Sequence, residues 1–200
     1  MRYSKAHKQE TRRNVLDAAL GSFRTAGYHG IGVDGIAKAA GVTSGAFYRH
    51  FPSKSEAFRN VISEGLSLLR NAIKDSQRTL GTKWLNSFAN WYFSFPGDHA
   101  KRANHEALPM EGGCALPTLS PEIPRTDTDT RQVFEDEVLL ITEVIAAGLP
   151  DSDTKQKQRL SWTLLALMVG GIVLARSVRK EKTAKQISAS ILASIKQLSG

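Results

Sequence analysis

The chain has 200 residues, 41% of them apolar, with 27 Lys and Arg against 19 Asp and Glu for a formal charge of +8. This is the composition of a folded protein of one or two domains, and it excludes a disordered or fibrous chain. A single cysteine, Cys114, excludes an internal disulfide, and the polar N-terminus shows no apolar leader, so the expected compartment is cytoplasmic.

The charge is unevenly placed. Residues 1–60 hold ten Lys and Arg against four Asp and Glu, a net +6, and the rest of the chain adds only +2. Such a concentration suits a polyphosphate partner. Leu16, Ala19, Leu20 and Phe23 fall at i, i+3, i+4 and i+7, an amphipathic helix ended by Gly27, with a loop over Tyr28–Gly32. Residues 32–54, GVDGIAKAAGVTSGAFYRHFPSK, then read as two short helices around a glycine. Ala37, Ala40 and Val42 supply a small-residue seam where the helices cross. Gly41 sits where a helix must end in the left-handed region, which glycine adopts cheaply. Thr43 and Ser44 offer a hydroxyl to cap the next helix. In that helix Phe47 and Phe51 share the anchoring face, leaving Ser44, Gly45, Tyr48 and Arg49 outward. This is the pattern of a helix-turn-helix, whose second helix enters a major groove.

Ser53 with Glu56 forms a capping box for a fourth helix, apolar at Ala57, Val61, Ile62, Leu66, Leu69 and Ile73 and broken at Gly81. Trp84 to Phe95 reads as an apolar helix closed by Pro96-Gly97. Residues 107–131, with Pro109, Pro117, Pro121 and Pro124, predict loops and short helical pieces. Further helices are expected over Val133–Leu149, Thr154–Lys180 and Thr183–Leu198. The uncharged run Leu160–Ala175 is short for a bilayer and reads as a buried helix, so no membrane partner is expected. No strand-period alternation appears. The expected fold is all-α: residues 1–55 a helix-turn-helix head, residues 56–200 a larger helical domain.

The head resembles the tetracycline-repressor (TetR) family of transcriptional regulators. The resemblance rests on Ala18-Ala19, Phe23, Gly27-Tyr28, Ile36-Ala37, Ala40-Gly41-Val42, Gly45-Ala46-Phe47-Tyr48, His50-Phe51 and Lys54. Gly32 and Gly35 depart from it, since the family more often shows Thr and a polar residue there. The resemblance implies a homodimer whose two heads read a palindromic operator in double-stranded DNA. It also implies a small-molecule effector that binds the larger domain and releases the DNA. Thr43, Ser44, Gly45, Tyr48 and His50 lie where that family's recognition helix meets bases and phosphates, and Lys54 matches a phosphate-contacting lysine. Hydroxyls and a helix N-terminus suit phosphate on physical grounds as well. Arg49 reaches either guanine or backbone. Packing within the head for Tyr48, and a helix-end cap for His50, stay open at this level.

In the larger domain Trp84, Phe88, Trp91 and Tyr92 crowd one helix, and Trp162, Leu165 and Met168 another. They line an apolar effector cavity or form plain core. The scarcity of charge there points to an uncharged or weakly polar effector. Cys114, in a Gly112-Gly113-Cys114 segment similar to one in electrophile-responsive members of the family, is either a sensor thiol or an inert wall. Leu164, Leu167 and Gly171 with Ile187, Ile191, Ile195 and Leu198 are expected at a four-helix dimer interface. No P-loop, G-x-S-x-G or H-E-x-x-H occurs, and His105-Glu106 stands alone, so no enzyme, cofactor or metal site is expected. Two alternatives to a ligand-responsive repressor are an architectural DNA-binding protein without effector and a small-molecule enzyme.

Overall fold

A computed structural model describes residues 5–94, 114–150 and 153–198, which form helices and turns with no strand among them. In chain order the helices are α1 (Lys5–Gly30), α2 (Val33–Ala39), α3 (Ser44–Tyr48), α4 (Lys54–Leu80), α5 (Trp84–Tyr92), α6 (Ala115–Leu119), α7 (Thr128–Ala147), α8 (Thr154–Ser177) and α9 (Glu181–Leu198). The all-α expectation holds. Phe95, Pro96-Gly97, His105-Glu106 and Gly112-Gly113 lie outside the described residues.

The chain divides into two compact units. The first contains residues 1–66 and 110–137, the second residues 67–109 and 138–200, so α4 and α7 contribute to both.

The core of the first unit is aromatic. Phe23, Phe47, Phe51 and Phe58 are fully buried with Val15, Ala19, Ile36 and Ala57. Phe58 meets Phe23 edge-on at 4.9 Å and Tyr28 at 4.6 Å between ring centroids. The helical label of α1 runs past Gly27, but that residue breaks the helix at φ 71°, ψ 173°. Tyr28–Gly30 thus form a further helical turn where the sequence suggested a loop. A side chain at Gly27 would meet the Glu122 carboxylate, and one at Gly65 would come within 2.6 Å of the Ala115 Cβ. Helix α6, with Ala115, Leu116 and Leu119 buried, therefore lies close upon α1 and α4.

Asp127 explains why α7 begins at Thr128 and not at Val133. Its carboxylate accepts from the Thr130 amide and hydroxyl, both at 2.8 Å, the bonds of an N-cap. It also accepts from the Ser55 hydroxyl and, at 3.1 Å, from Arg59 Nη1. One side chain thereby starts α7 and ties it to the first turn of α4.

In the second unit α8 and α9 pack along each other, and α5 packs on α9. Gly171 permits this closeness, since a Cβ there would come within 2.8 Å of Phe93 and 3.0 Å of Ile191. The exposed carbonyls at the end of α7 are answered by side chains. Gln77 Nε2 donates to Val144 O at 2.8 Å and Trp84 Nε1 to Gly148 O at 2.7 Å. Helix α8, at 24 residues, is long and apolar enough by composition to cross a membrane, longer than its uncharged run implied. Its Leu164, Leu165, Met168, Gly171 and Ile172 are nonetheless buried inside the unit.

Hydrogen bonds from Ser55 and the Thr130 amide, with the Arg59 charge beside them, hold the Asp127 carboxyl well below its ordinary 3.8. A depressed carboxylate stabilises the fold above its unfolded pKa and loses that contribution as pH falls through the folded value. Asp127→Ala is therefore expected to lower unfolding stability at neutral pH by about 1–2 kcal/mol, the usual cost of a lost cap. The gap from wild type should narrow as pH falls below 3.8, as read by urea melts across pH.

Candidate nucleic-acid interface

The turn between α2 and α3 is built by a glycine. Gly41 has φ +68°, and behind it Val42 N donates to Ala37 O at 2.9 Å while Gly41 N donates to Lys38 O at 3.1 Å. This pair of bonds closes a helix with a left-handed residue just past its end. Thr43 then caps α3, its hydroxyl accepting from Ala46 N at 3.2 Å. The neighbouring Ser44 hydroxyl donates to Asp34, which turns it back onto α2. Asp34 had not been singled out; a lone acid within a basic segment was its only signal.

Helix α3 has only five residues, and two aromatic anchors orient it. Phe47 and Phe51 are fully buried, with ring centroids 5.7 Å apart. On the opposite side Tyr48 is 53% exposed and stands edge-on to Phe47. Packing within the head therefore does not account for it. Thr43, Gly45 and Arg49 are exposed as well. Arg49 is the C-terminal cap residue of α3; its amide donates to Ala46 O at 3.3 Å, and the His50 amide donates to Phe47 O at 2.9 Å.

His50 is half-buried, and its Nδ1 is shut away from solvent without a hydrogen-bond partner. A helix-end cap through that nitrogen is thus not formed. Burial, then the charges of Lys8, Arg12 and Arg49, push its pKa below the ordinary 6.5. These influences favour the neutral ring.

Lys54 opens α4, preceded by the Ser53 cap, whose Oγ accepts from Glu56 N at 3.0 Å. The Glu56 carboxylate turns instead to Arg59 at 2.8 Å and Asn60 at 3.1 Å. Lys54 Nζ lies 4.6 Å from the Tyr28 ring centroid, and burial lowers its pKa from 10.5. A cation over an aromatic face is attracted to it, so the Tyr28 ring orders the Lys54 side chain. The sequence marks Tyr28 as part of a loop and of the family resemblance, but not as a platform for Lys54.

The residues expected around an effector separate. Trp84, Phe88 and Tyr92 are buried on α5, with Phe88 and Tyr92 stacked at 6.0 Å and Trp91 5.4 Å from Phe88. Trp84 is committed to Gly148 by its indole bond. Leu165 and Met168 are buried on α8. Trp162 is 41% exposed, because residue 162 falls on the flank of the buried stripe that Ser161, Leu165 and Met168 form on α8. Cys114 belongs to the first unit and is 1% exposed at the start of α6.

The expected dimer residues differ in their burial within one chain. Leu164, Gly171 and Ile195 are buried within the chain itself, and Ile191 packs toward Gly171. Leu167 and Ile187 are half-buried, and Leu198 is exposed. The apolar side chains that α8 leaves outside are Trp162, Val173 and Leu174.

Comparison with known proteins agrees with this geometry. Residues 15–61 match the family described as bacterial regulatory proteins, tetR family. The HTH-type transcriptional regulator AcrR of Shigella flexneri is 47% identical over 60 residues, 30% of this chain and 28% of that protein. The HTH-type transcriptional activator FasR of Mycolicibacterium smegmatis is 36% identical over 72 residues, 36% of this chain and 33% of that one. The chain thus spans a third or less of the length of these two relatives. Among solved structures, a TetR transcriptional regulator from Legionella pneumophila superposes over 100% of both chains with a TM-score of 0.75 at 18% identity. The reduced form of E. coli NemR covers 94% of this chain and 96% of its own, with a TM-score of 0.74 at 16% identity. Those two establish the fold; the head carries the sequence identity. Residues 15–61 thus carry the head of the tetR family of bacterial regulatory proteins, on a fold the whole chain shares with these two structures.

Proposed function

We propose that the chain is a ligand-responsive transcriptional regulator, a repressor that binds a palindromic operator as a homodimer and leaves it when a small molecule binds. The observation that carries this reading is the α2–Gly41–α3 turn, which buries Phe47 and Phe51 and so presents Thr43, Gly45, Tyr48 and Arg49 outward. The relatives named as regulator and as activator support transcriptional control, and the repressor sense comes from the family resemblance. In this reading Ser44, His50 and Lys54 complete the contact. The head, drawn from the sequence as residues 1–55, acts with the segment 114–137 packed on it.

The effector site proposed is the apolar interior of the second unit around Phe88, Tyr92, Leu165 and Met168. None of these is ionised at neutral pH, which favours an uncharged, partly aromatic ligand. Helices α4 and α7, shared by both units, are the continuous chain through which its binding would reach the head. Cys114 is assigned as wall and not as sensor, because it is 1% exposed at the start of α6. The dimer is proposed to form on the outer face of α8, around Trp162, Val173 and Leu174.

Four outcomes are expected. A duplex recovered by selection should bind far more tightly than random sequence, with log affinity falling by roughly 0.9 per contacted phosphate per log unit of salt. Lys54→Ala should weaken all sequences alike and reduce that slope by about one; equal binding of random and selected duplexes at physiological salt would remove the specific reading. Leu174→Asp, exposed in one chain yet central to the proposed contact, should sediment as a monomer at concentrations where wild type is dimeric. The Cys114 thiol should label slowly in the folded protein and readily in urea, and Cys114→Ser should keep both operator affinity and its response to effector.

A further inference from the structure

The first unit carries a group of cations outside the helix-turn-helix signature. We propose that Lys8 and Arg12 of α1 join Arg49 and His50 in a second phosphate-binding site, through which α1 holds a duplex phosphodiester flanking the bases beneath α3. The proposal deepens the DNA-binding reading of the head and rests on it.

Arg12 is held in place before any partner arrives. Its guanidinium lies 4.9 Å from the centroid of Phe51, the residue after His50, and its Nη2 donates to Asn60 Oδ1 at 2.8 Å. Asn60 is itself oriented, its Nδ2 donating to Glu56 O at 2.8 Å and to the Glu56 carboxylate at 3.1 Å. A guanidinium carries five N–H donors in a fixed plane, so one bond to Asn60 leaves most of them for an anion. Lys8 precedes Arg12 by four residues, which puts it one turn earlier on the same face of α1, where it is exposed.

The local carboxylates are engaged elsewhere. Glu10 faces His7 at 3.8 Å, Asp17 and Glu64 hold Arg13 at 3.2 and 2.6 Å, and Glu56 holds Arg59 at 2.8 Å. Among the described residues no salt bridge engages Lys8, Arg12 or Arg49. These three are also the charges that act on His50. Lys8, Arg12 and Arg49 repel one another, with Glu56 the one acid whose charge reaches Arg12, and a phosphate placed among them relieves that repulsion. His50 fits as a neutral donor. A proton on its buried, partnerless Nδ1 would be an unsatisfied N–H, so the proton is assigned to Nε2, from which a phosphate oxygen can accept.

The test uses the full chain, a selected duplex and fluorescence anisotropy over a salt series, with the duplex then shortened base pair by base pair from its ends. Lys8→Ala, which loses no recorded contact, should flatten the salt slope by about 0.9. Arg12→Ala should do the same and Arg12→Lys should restore the slope. On the shortened duplex wild type and Lys8→Ala should converge, which a purely structural role for α1 would not produce. If Lys54→Ala reduces the slope on the selected duplex while Lys8→Ala and Arg12→Ala leave it unchanged, the α1 site is overturned and the DNA-binding reading stands. If wild type shows no preference for the selected duplex, the DNA-binding reading fails and takes the α1 site with it.

Discussion

The five residues of α3 cannot hold a helix by themselves, since an isolated helix in water needs a dozen or more residues to be even marginal. What makes α3 a rigid element is the complete burial of Phe47 and Phe51, in a unit whose core also fully buries Phe23, Phe58, Ile36 and Val15. Losing one such phenyl ring from a packed core costs about 3–5 kcal/mol, more than any hydrogen bond on the exposed face supplies. The orientation of Tyr48, Arg49 and Thr43 is therefore a consequence of where two phenylalanines are buried. The Gly41 turn sets the angle at which α3 arrives, and the aromatic core fixes its rotation.

The same aromatic core supports the cations that surround α3. Lys54 rests on Tyr28, whose ring lies 4.6 Å from Phe58, and Arg12 rests on Phe51. A lysine or arginine free in solvent loses rotamer freedom when it meets a phosphate. One already lying along an aromatic face has given up much of that freedom in the folding step. The head thus uses one set of rings twice, on one side for burial and on the other as platforms. Of the acids in this region, Glu64 pairs with Arg13 and Glu56 with Arg59, and Arg59 also reaches Asp127, so these two cations join α1 to α4 and α4 to the start of α7.

Much of this was legible in the sequence because it is local. Gly41 in the left-handed region, the Thr43 cap, the Ser53 cap and the Phe47–Phe51 pair all depend on residues within four or five positions of one another. What escaped notice was long-range. Asp127 lies 72 residues from Ser55 and 68 from Arg59, and nothing in the Pro-rich segment around it marks it as a cap that also ties α7 to α4. The packing of α6 on the head depends on Gly65 facing Ala115, a pairing visible only once the chain is folded. Arg12 escaped for a similar reason, since its partners Phe51 and Asn60 are 39 and 48 positions away in the sequence. On α8 the failure was of another kind. Leu164 and Trp162 are both large and apolar, and composition could not say which of them faces the chain's own interior.

That ambiguity on α8 has a physical source. A helix that packs one face against its own domain normally carries polar residues on the other. Helix α8 buries Leu164, Leu165, Met168 and Ile172, yet Trp162, Val173 and Leu174 on its outer side are apolar as well. Gly170 on that side has open space where a Cβ would stand, so another helix backbone could approach closely there. At the two ends of α8 the pattern becomes polar, with Lys155, Gln156 and Lys157 in the first turn and Arg176 and Ser177 in the last. The apolar outer band is thus confined to the middle of the helix. An apolar band on the outside of a helix is what a partner helix would cover. A second α8 crossing the first would meet an identical band, and this self-complementarity favours an isologous contact over any unlike partner.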